Sequence, residues 1–374
     1  MLLPQFKLEE YFAKYEFVAP FMMGSSDPET HTLTELVSMA DEECLSLWNN
    51  LKFTYTETHG LPLLREEIKK LYNTQDKDNI LVFAGAEEAI YITMQVMLKR
   101  SDHVVVITPC YQSLKEIPKA VGANVTEISL DWENNNWSFN LEKFKAVVTD
   151  QTKLVILNFP HNPTGFHPSQ ELFKAIIDIV KQHDAYLFSD EVYRLSEQNP
   201  ADCLPNAVDC YEKAISLGVM SKSFGFPGLR IGWLASHDKS LLHDLASYKN
   251  YTSICNSAPS EMLSLIALRN KEHILQRNRE IAKNNLDLLD SFFCQHSSVY
   301  DWYRPAAGFI NFPRLKLDIN IDQFAKKLID EEGVIILPGT LFDNSNNHFR
   351  LGFGRRNLPE ALSRLERFTK KIIS

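Results

Sequence analysis

The chain has 374 residues, 44% of them hydrophobic and 23% charged, and a formal net charge of -9. This is a globular composition, long enough for two domains or one large α/β domain with appendages, and it excludes long disorder. An acidic chain without a run of Lys or Arg is a poor partner for nucleic acid or an anionic membrane, though a single pocket within it can still be basic.

The opening stretch, "MLLPQFKLEEYFAKYEF", carries charges early and lacks the apolar core of a signal peptide. No apolar run approaches the roughly 20 residues that span a bilayer, so a cytoplasmic location is expected by elimination. Six cysteines (Cys44, Cys110, Cys203, Cys210, Cys255, Cys294) show neither C-x-x-C nor zinc-ligand spacing and read as thiols of a reducing compartment. From residue 79 onward, apolar strands alternate with amphipathic stretches. "NILVF" (79–83) precedes a helix. "HVVVITP" (103–109) precedes another, "YQSLKEIPKAVG". "NVTEISL" is a strand, and "DWENNNW" (131–137) reads as a surface turn. "LVILNFP" (154–160) leads through a loop to "SQELFKAIIDIVKQHD", with Ser169 as N-cap. "AYLFSD" (185–190), "AISLGVMS" (214–221) and "RIGWLAS" (230–236) complete the set. Strands of Val, Ile and Leu without clean alternation are buried on both faces. With helices between them they predict an α/β fold, a mostly parallel sheet with helices on both faces.

The tail differs. Long helical patterns over roughly 239–295 are followed by "GFINFPRL", a helix from about 321, "VIILPG", "HFRLGFG" and a last helix from about 358. The expected division is a large domain over 45–255 and a smaller α+β domain built from 1–44 and 256–374, since chain termini often lie close together.

Ligands of α/β sheets bind outside the carboxyl ends of the strands. There the sequence places Gly85, Ala86 and Glu87 at a helix start, where free N–H groups suit a phosphate. It also places Tyr111 after the second strand, Asn162 in "HNPTG", and Asp190 followed by Tyr193. Singly, each has an ordinary explanation as a turn, a cap or core packing. The sixth strand, however, ends in Ser221-Lys222, with Arg230 eight residues on. A lysine at a buried strand end is costly unless it is neutral or paired, and only the neutral amine attacks a carbonyl. A lysine nucleophile, an anion cradle, an aromatic, an amide, a carboxylate and a phenol together are what pyridoxal 5'-phosphate requires.

In order along the chain, "YTETHGLPLLREEI" (55–68), "FAGAEEAI" (83–90), "PCY" (109–111), "NFPHNPTG" (158–165), "SDEVY" (189–193), "SKSFGFPGLRIGW" (221–233) and "FRLGFG" (349–354) resemble the motifs of fold-type I pyridoxal-phosphate enzymes of the class I/II aminotransferase family. The resemblance covers nearly the whole chain. It implies a large domain with a seven-stranded-type sheet, and ping-pong transfer of an amino group between an L-amino acid and a 2-oxo acid. It makes Lys222 the Schiff-base lysine and proton shuttle, and Asp190 the carboxylate on the pyridine nitrogen. Tyr193 and Asn162 become donors to the ring's 3-oxygen, and Tyr111 the stacking aromatic. Ser221, Arg230 and the amides around Gly85, Ala86 and Glu87 become the phosphate cup. Tyr55 matches the tyrosine that reaches a neighbouring subunit's phosphate, implying a homodimer with shared active sites. Arg350 matches the clamp on the substrate α-carboxylate, and Asn162 is expected on the substrate side as well.

The segment "FMMGSSDPETHTLTEL" departs from the family's usual glycine-rich, proline-containing entry stretch. Gly24 stands in for the glycine beside the substrate carboxylate, and Ser25, Ser26 and Asp27 mark a substrate-specificity element. This segment is similar to that of a branch including capreomycidine synthase. Carbon–sulfur β-elimination and ring closure of the capreomycidine or aminocyclopropane-carboxylate type therefore stay open beside transamination. A non-catalytic cofactor-binding protein is the third reading; it is disfavoured because Lys222, Asp190 and Arg350 are all present.

Overall fold

The computed structural model describes residues 2–373. Seven strands form the central sheet: β1 (Ile80–Phe83), β2 (His103–Thr108), β3 (Asn124–Ser129), β4 (Thr152–Asn158), β5 (Tyr186–Asp190), β6 (Ala214–Val219) and β7 (Gly232–Ser236). Their order across the sheet is β1-β7-β6-β5-β4-β2-β3. β2 to β6 pair in parallel, whereas β7 runs antiparallel to both its neighbours. Every residue of β1 and β6 is buried, as a strand covered on both faces demands. β3 lies at the sheet edge and keeps only Ile128 buried, which explains its polar residues.

Side chains of one strand alternate between faces, so β1 serves two cores. Leu81 and Phe83 join Ile90, Met94 and Leu245 on one side, while Ile80 and Val82 join Ile176 and Ile266 on the other. The helix Gln170–Gln182 starts where the sequence predicts, with the Leu172 N–H donating to the Ser169 hydroxyl at 3.1 Å. Near the C-terminus, Leu337–Pro338, Phe349–Gly352 and Ile310–Asn311 make a three-stranded sheet beside helices Ile321–Glu332 and Leu358–Ile373. Phe21–Met22 pairs in parallel with Val334–Ile335 and so ties the N-terminal segment to this part.

One expectation fails locally. "DWENNNW" is a β-hairpin, Asp131–Glu133 against Asn136–Ser138, rather than a plain surface turn. Trp132 faces Trp137 across it with ring centroids 5.0 Å apart, and Trp137 is buried. A cross-strand aromatic pair stabilises such a ribbon. Among the described residues, no helix is long and apolar enough to cross a membrane.

Candidate active site

The carboxyl ends of β1, β4, β5 and β6 open on one cavity of about 540 Å³. Lys222 follows β6, and its Nζ donates to the Ser26 hydroxyl at 2.7 Å while lying 6.0 Å from the centre of the Tyr193 ring. Ser221 lines the same wall. Asp190 ends β5 and is buried, with one carboxylate oxygen accepting from the Val192 N–H at 3.2 Å. Burial lifts its carboxyl from the ordinary 3.8 to about 7, against the pull of that N–H and the Lys222 ammonium. A cation placed opposite would reverse the lift. Tyr193 is 1% exposed, yet its hydroxyl has no partner. Orphaned buried hydroxyls are rare in a settled core, so this one is set to meet a ligand.

The anion cradle lies at the start of helix Ala86–Met97, whose first turn has no side-chain cap. Gly85 adopts φ +95°, and a Cβ there would sit 2.5 Å from Nη2 of Arg230. Only glycine lets the guanidinium approach the free N–H groups of that turn. Arg230 is itself left-handed, at φ 51°, and donates to the Pro227 carbonyl at 3.2 Å. The Glu87 side chain also faces the cavity. One oxygen accepts from the Ser113 hydroxyl, the other has no partner, and burial holds the carboxyl above its ordinary range.

Arg350 comes from the far end of the chain and is 1% exposed. Its Nη1 donates to Oδ1 of Asn162 and its Nη2 to the Gly24 carbonyl, each at 2.9 Å, while Nε has no partner. The Asn162 backbone N–H is held by Oδ1 of Asn158 at 2.8 Å, which fixes the "HNPTG" loop. With its oxygen committed to Arg350, the Asn162 amide has its NH₂ left to donate. Tyr111 lines the opposite wall, its ring 5.2 Å from Phe6, and its hydroxyl donates to Glu9 at 3.2 Å.

The residues named from the sequence line this cavity apart from Gly24 and Gly85, which touch its Arg350 and Arg230, and Tyr55, which is 85% exposed and does not line it in the single chain. Two features escaped sequence reasoning. Helix Lys7–Tyr15 forms a roof through Leu8, Glu9 and Phe12, and Ser26 touches the lysine directly. The signal for the roof was the apolar face of "KLEEYFAKY", although nothing local says where that face docks. Arg355, a further residue the sequence did not single out, holds Asp27 at 2.6 Å beside the cavity. A larger groove of about 900 Å³ runs between the 131–138 hairpin and residues 314–318 and 342–348. It contains none of the residues above, so size does not locate the chemistry here.

Residues 21–365 match the family described as aminotransferase class I and II. The chain is 26% identical to capreomycidine synthase of Streptomyces vinaceus, over 94% of this chain and 90% of that protein. A PLP-dependent aminotransferase from Streptococcus suis superposes with a TM-score of 0.92 at 30% identity, covering 99% of each chain. The PLP-dependent cyclase OrfR superposes with a TM-score of 0.91 at 25% identity, covering 100% of this chain and 98% of that one.

Proposed function

The chain belongs to the class I and II aminotransferases, enzymes that use pyridoxal phosphate, and from that premise we propose that it transfers the amino group of an L-amino acid to a 2-oxo acid, with Lys222 moving the proton. The observation that carries this reading is the placing of the Lys222 amine and the buried Arg350 guanidinium on one cavity. The residues fit the cofactor: an uncapped helix start with Arg230 for its phosphate, Asp190 for its ring nitrogen, and the unpartnered Tyr193 hydroxyl for its ring oxygen. When bound, pyridoxal phosphate supplies a carbonyl for amines and a ring that accepts electron density from Cα.

The protein's own residues do the rest. Arg350 and Asn162 grip the substrate carboxylate and so fix which face of Cα meets Lys222. The lysine amine, once free, takes the Cα proton, and the Ser26 hydroxyl holds its position. A positive ring nitrogen opposite Asp190 would draw its carboxyl down from about 7, keeping it ionised at neutral pH, and the carboxylate would in turn stabilise that charge. Leu8 and Phe12 of the helix Lys7–Tyr15 give the cavity an apolar flank that would restrict water around a bound substrate. Tyr55 serves the partner subunit of a homodimer in this reading.

A cyclase or lyase is the second reading, favoured by the similarity to OrfR and by Ser26, which the unusual 24–29 segment brings against Lys222. Adding single amino acids without any oxo acid, while following visible absorbance, separates the two. Conversion of the lysine-bound cofactor's yellow band to the pyridoxamine form, with one equivalent of 2-oxo acid, establishes transamination. A persistent band with product accumulating over many turnovers establishes the second reading instead.

A further inference from the structure

Three cationic side chains line the cavity, and each already has a task. Lys222 belongs to the cofactor, Arg230 to the anion cradle, and Arg350 is locked between Asn162 and Gly24. None remains for a carboxylate on a substrate side chain. The mouth is acidic instead: Glu9, Glu16 and Asp27 all line it. Asp27 is compensated, by Arg355 at 2.6 Å and the Ser25 hydroxyl at 2.7 Å. Among the described residues, Glu9 and Glu16 form no ion pair, and the hydrogen bond of the Glu9 carboxylate is the one from Tyr111. Burial, then Asp27 and Glu9, hold the Glu16 carboxyl above its ordinary range against a weaker pull from Arg355, so the three carboxylates share one space. Glu9 and Asp27 also act on Arg350, which places the clamp and the mouth within reach of each other. Phe6, Leu8 and Phe12 line the same cavity and offer an apolar surface for a methylene stem. The unpartnered Nε of Arg350 and the unpartnered Tyr193 hydroxyl show independently that the space is built for a ligand.

We propose that this enzyme selects amino acids whose side chain ends in a guanidinium or ammonium group, held at the cavity mouth by Glu9 and Glu16. The inference rests on the catalytic reading above. An acidic side chain would meet uncompensated carboxylates and be disfavoured, whereas a cationic one relieves their mutual repulsion.

The test gives the cofactor-loaded protein L-arginine, L-lysine, L-norleucine and L-aspartate separately and measures the rate of the absorbance change against concentration. Arginine or lysine should exceed norleucine by about tenfold, the scale of one charge-assisted hydrogen bond, and aspartate should be slowest. In Glu9→Gln/Glu16→Gln, the cation-to-norleucine ratio should fall by about the same factor, and salt should affect the remaining preference less. Aspartate as the preferred donor, or a ratio that the double variant leaves unmoved, overturns this inference while the catalytic reading stands. A loaded protein that responds to none of the four but to another amino acid overturns this inference alone, and one that responds to no amino acid overturns both.

Discussion

Asp190 carries a cost that the cofactor removes. Its carboxyl titrates near 7 because burial disfavours the charge. Between about pH 4 and 7 the cofactor-free folded chain therefore keeps a proton that the unfolded chain has released. Stability from this group is full below the unfolded value and falls as pH rises through the folded one, by on the order of a few kcal/mol. Asp190→Asn removes that dependence. Calorimetry of the cofactor-free proteins between about pH 5 and about pH 8 should show the wild-type melting temperature falling relative to the variant. Parallel curves would mean that the carboxylate is already compensated. With cofactor present the order should invert, since the amide offers no charge to the ring nitrogen. The type and place of this residue were legible from the strand it terminates; its protonation was not, because burial depends on β4, β6 and Lys222 closing around it.

The strand Phe349–Gly352 and the segment 23–29 act as one unit. The Gly352 N–H donates to the Met23 carbonyl at 2.5 Å, and a Cβ at Gly352 would lie 1.8 Å from the Ser25 carbonyl oxygen. The first glycine of "FRLGFG" is thus a space requirement, which lets Ser26 reach Lys222 and Gly24 reach Arg350. Gly352→Ala should displace the segment. Overpacking of this kind costs about 1–3 kcal/mol, so a folded variant is expected, with kcat/KM at least about tenfold lower for whichever amino acid the enzyme accepts. Normal kcat/KM would show that the segment moves without consequence. At this scale the sequence was informative wherever burial imposes a period: all seven central strands and the helices from 321 and 358 lie where the pattern puts them. It was silent on where an amphipathic face docks. Helix Lys7–Tyr15 is anchored by Lys7 to Asp343 at 2.5 Å and by the Lys7 N–H to Gln112 at 3.0 Å, partners far away in the chain. The hairpin at 131–138 escaped for a similar reason, since its tryptophan pair forms only once the turn has closed.

For the whole molecule, the open question is what covers Tyr55. Phe53, Tyr55 and Tyr251 are all highly exposed. The chain near Tyr55 is nevertheless anchored: buried Lys249 donates to the carbonyls of Thr58 and Val82, each at 2.7 Å, fixing it against β1. An exposed tyrosine three residues from an anchored point of the chain suits a homodimer in which each chain completes the other's site. Complementation tests this directly. Tyr55→Ala and Lys222→Ala should each be nearly inactive alone. Co-expressed with different tags, random pairing makes half of the dimers hybrid. In a two-fold dimer with Tyr55 acting across the interface, one site of each hybrid carries both defects and the other carries neither, so about a quarter of all sites are native. Hybrids purified through both tags should then show about half of wild-type turnover per dimer. If Tyr55 served its own chain, every hybrid site would hold one defect and turnover would stay near zero, so the two arrangements differ in kind rather than in degree.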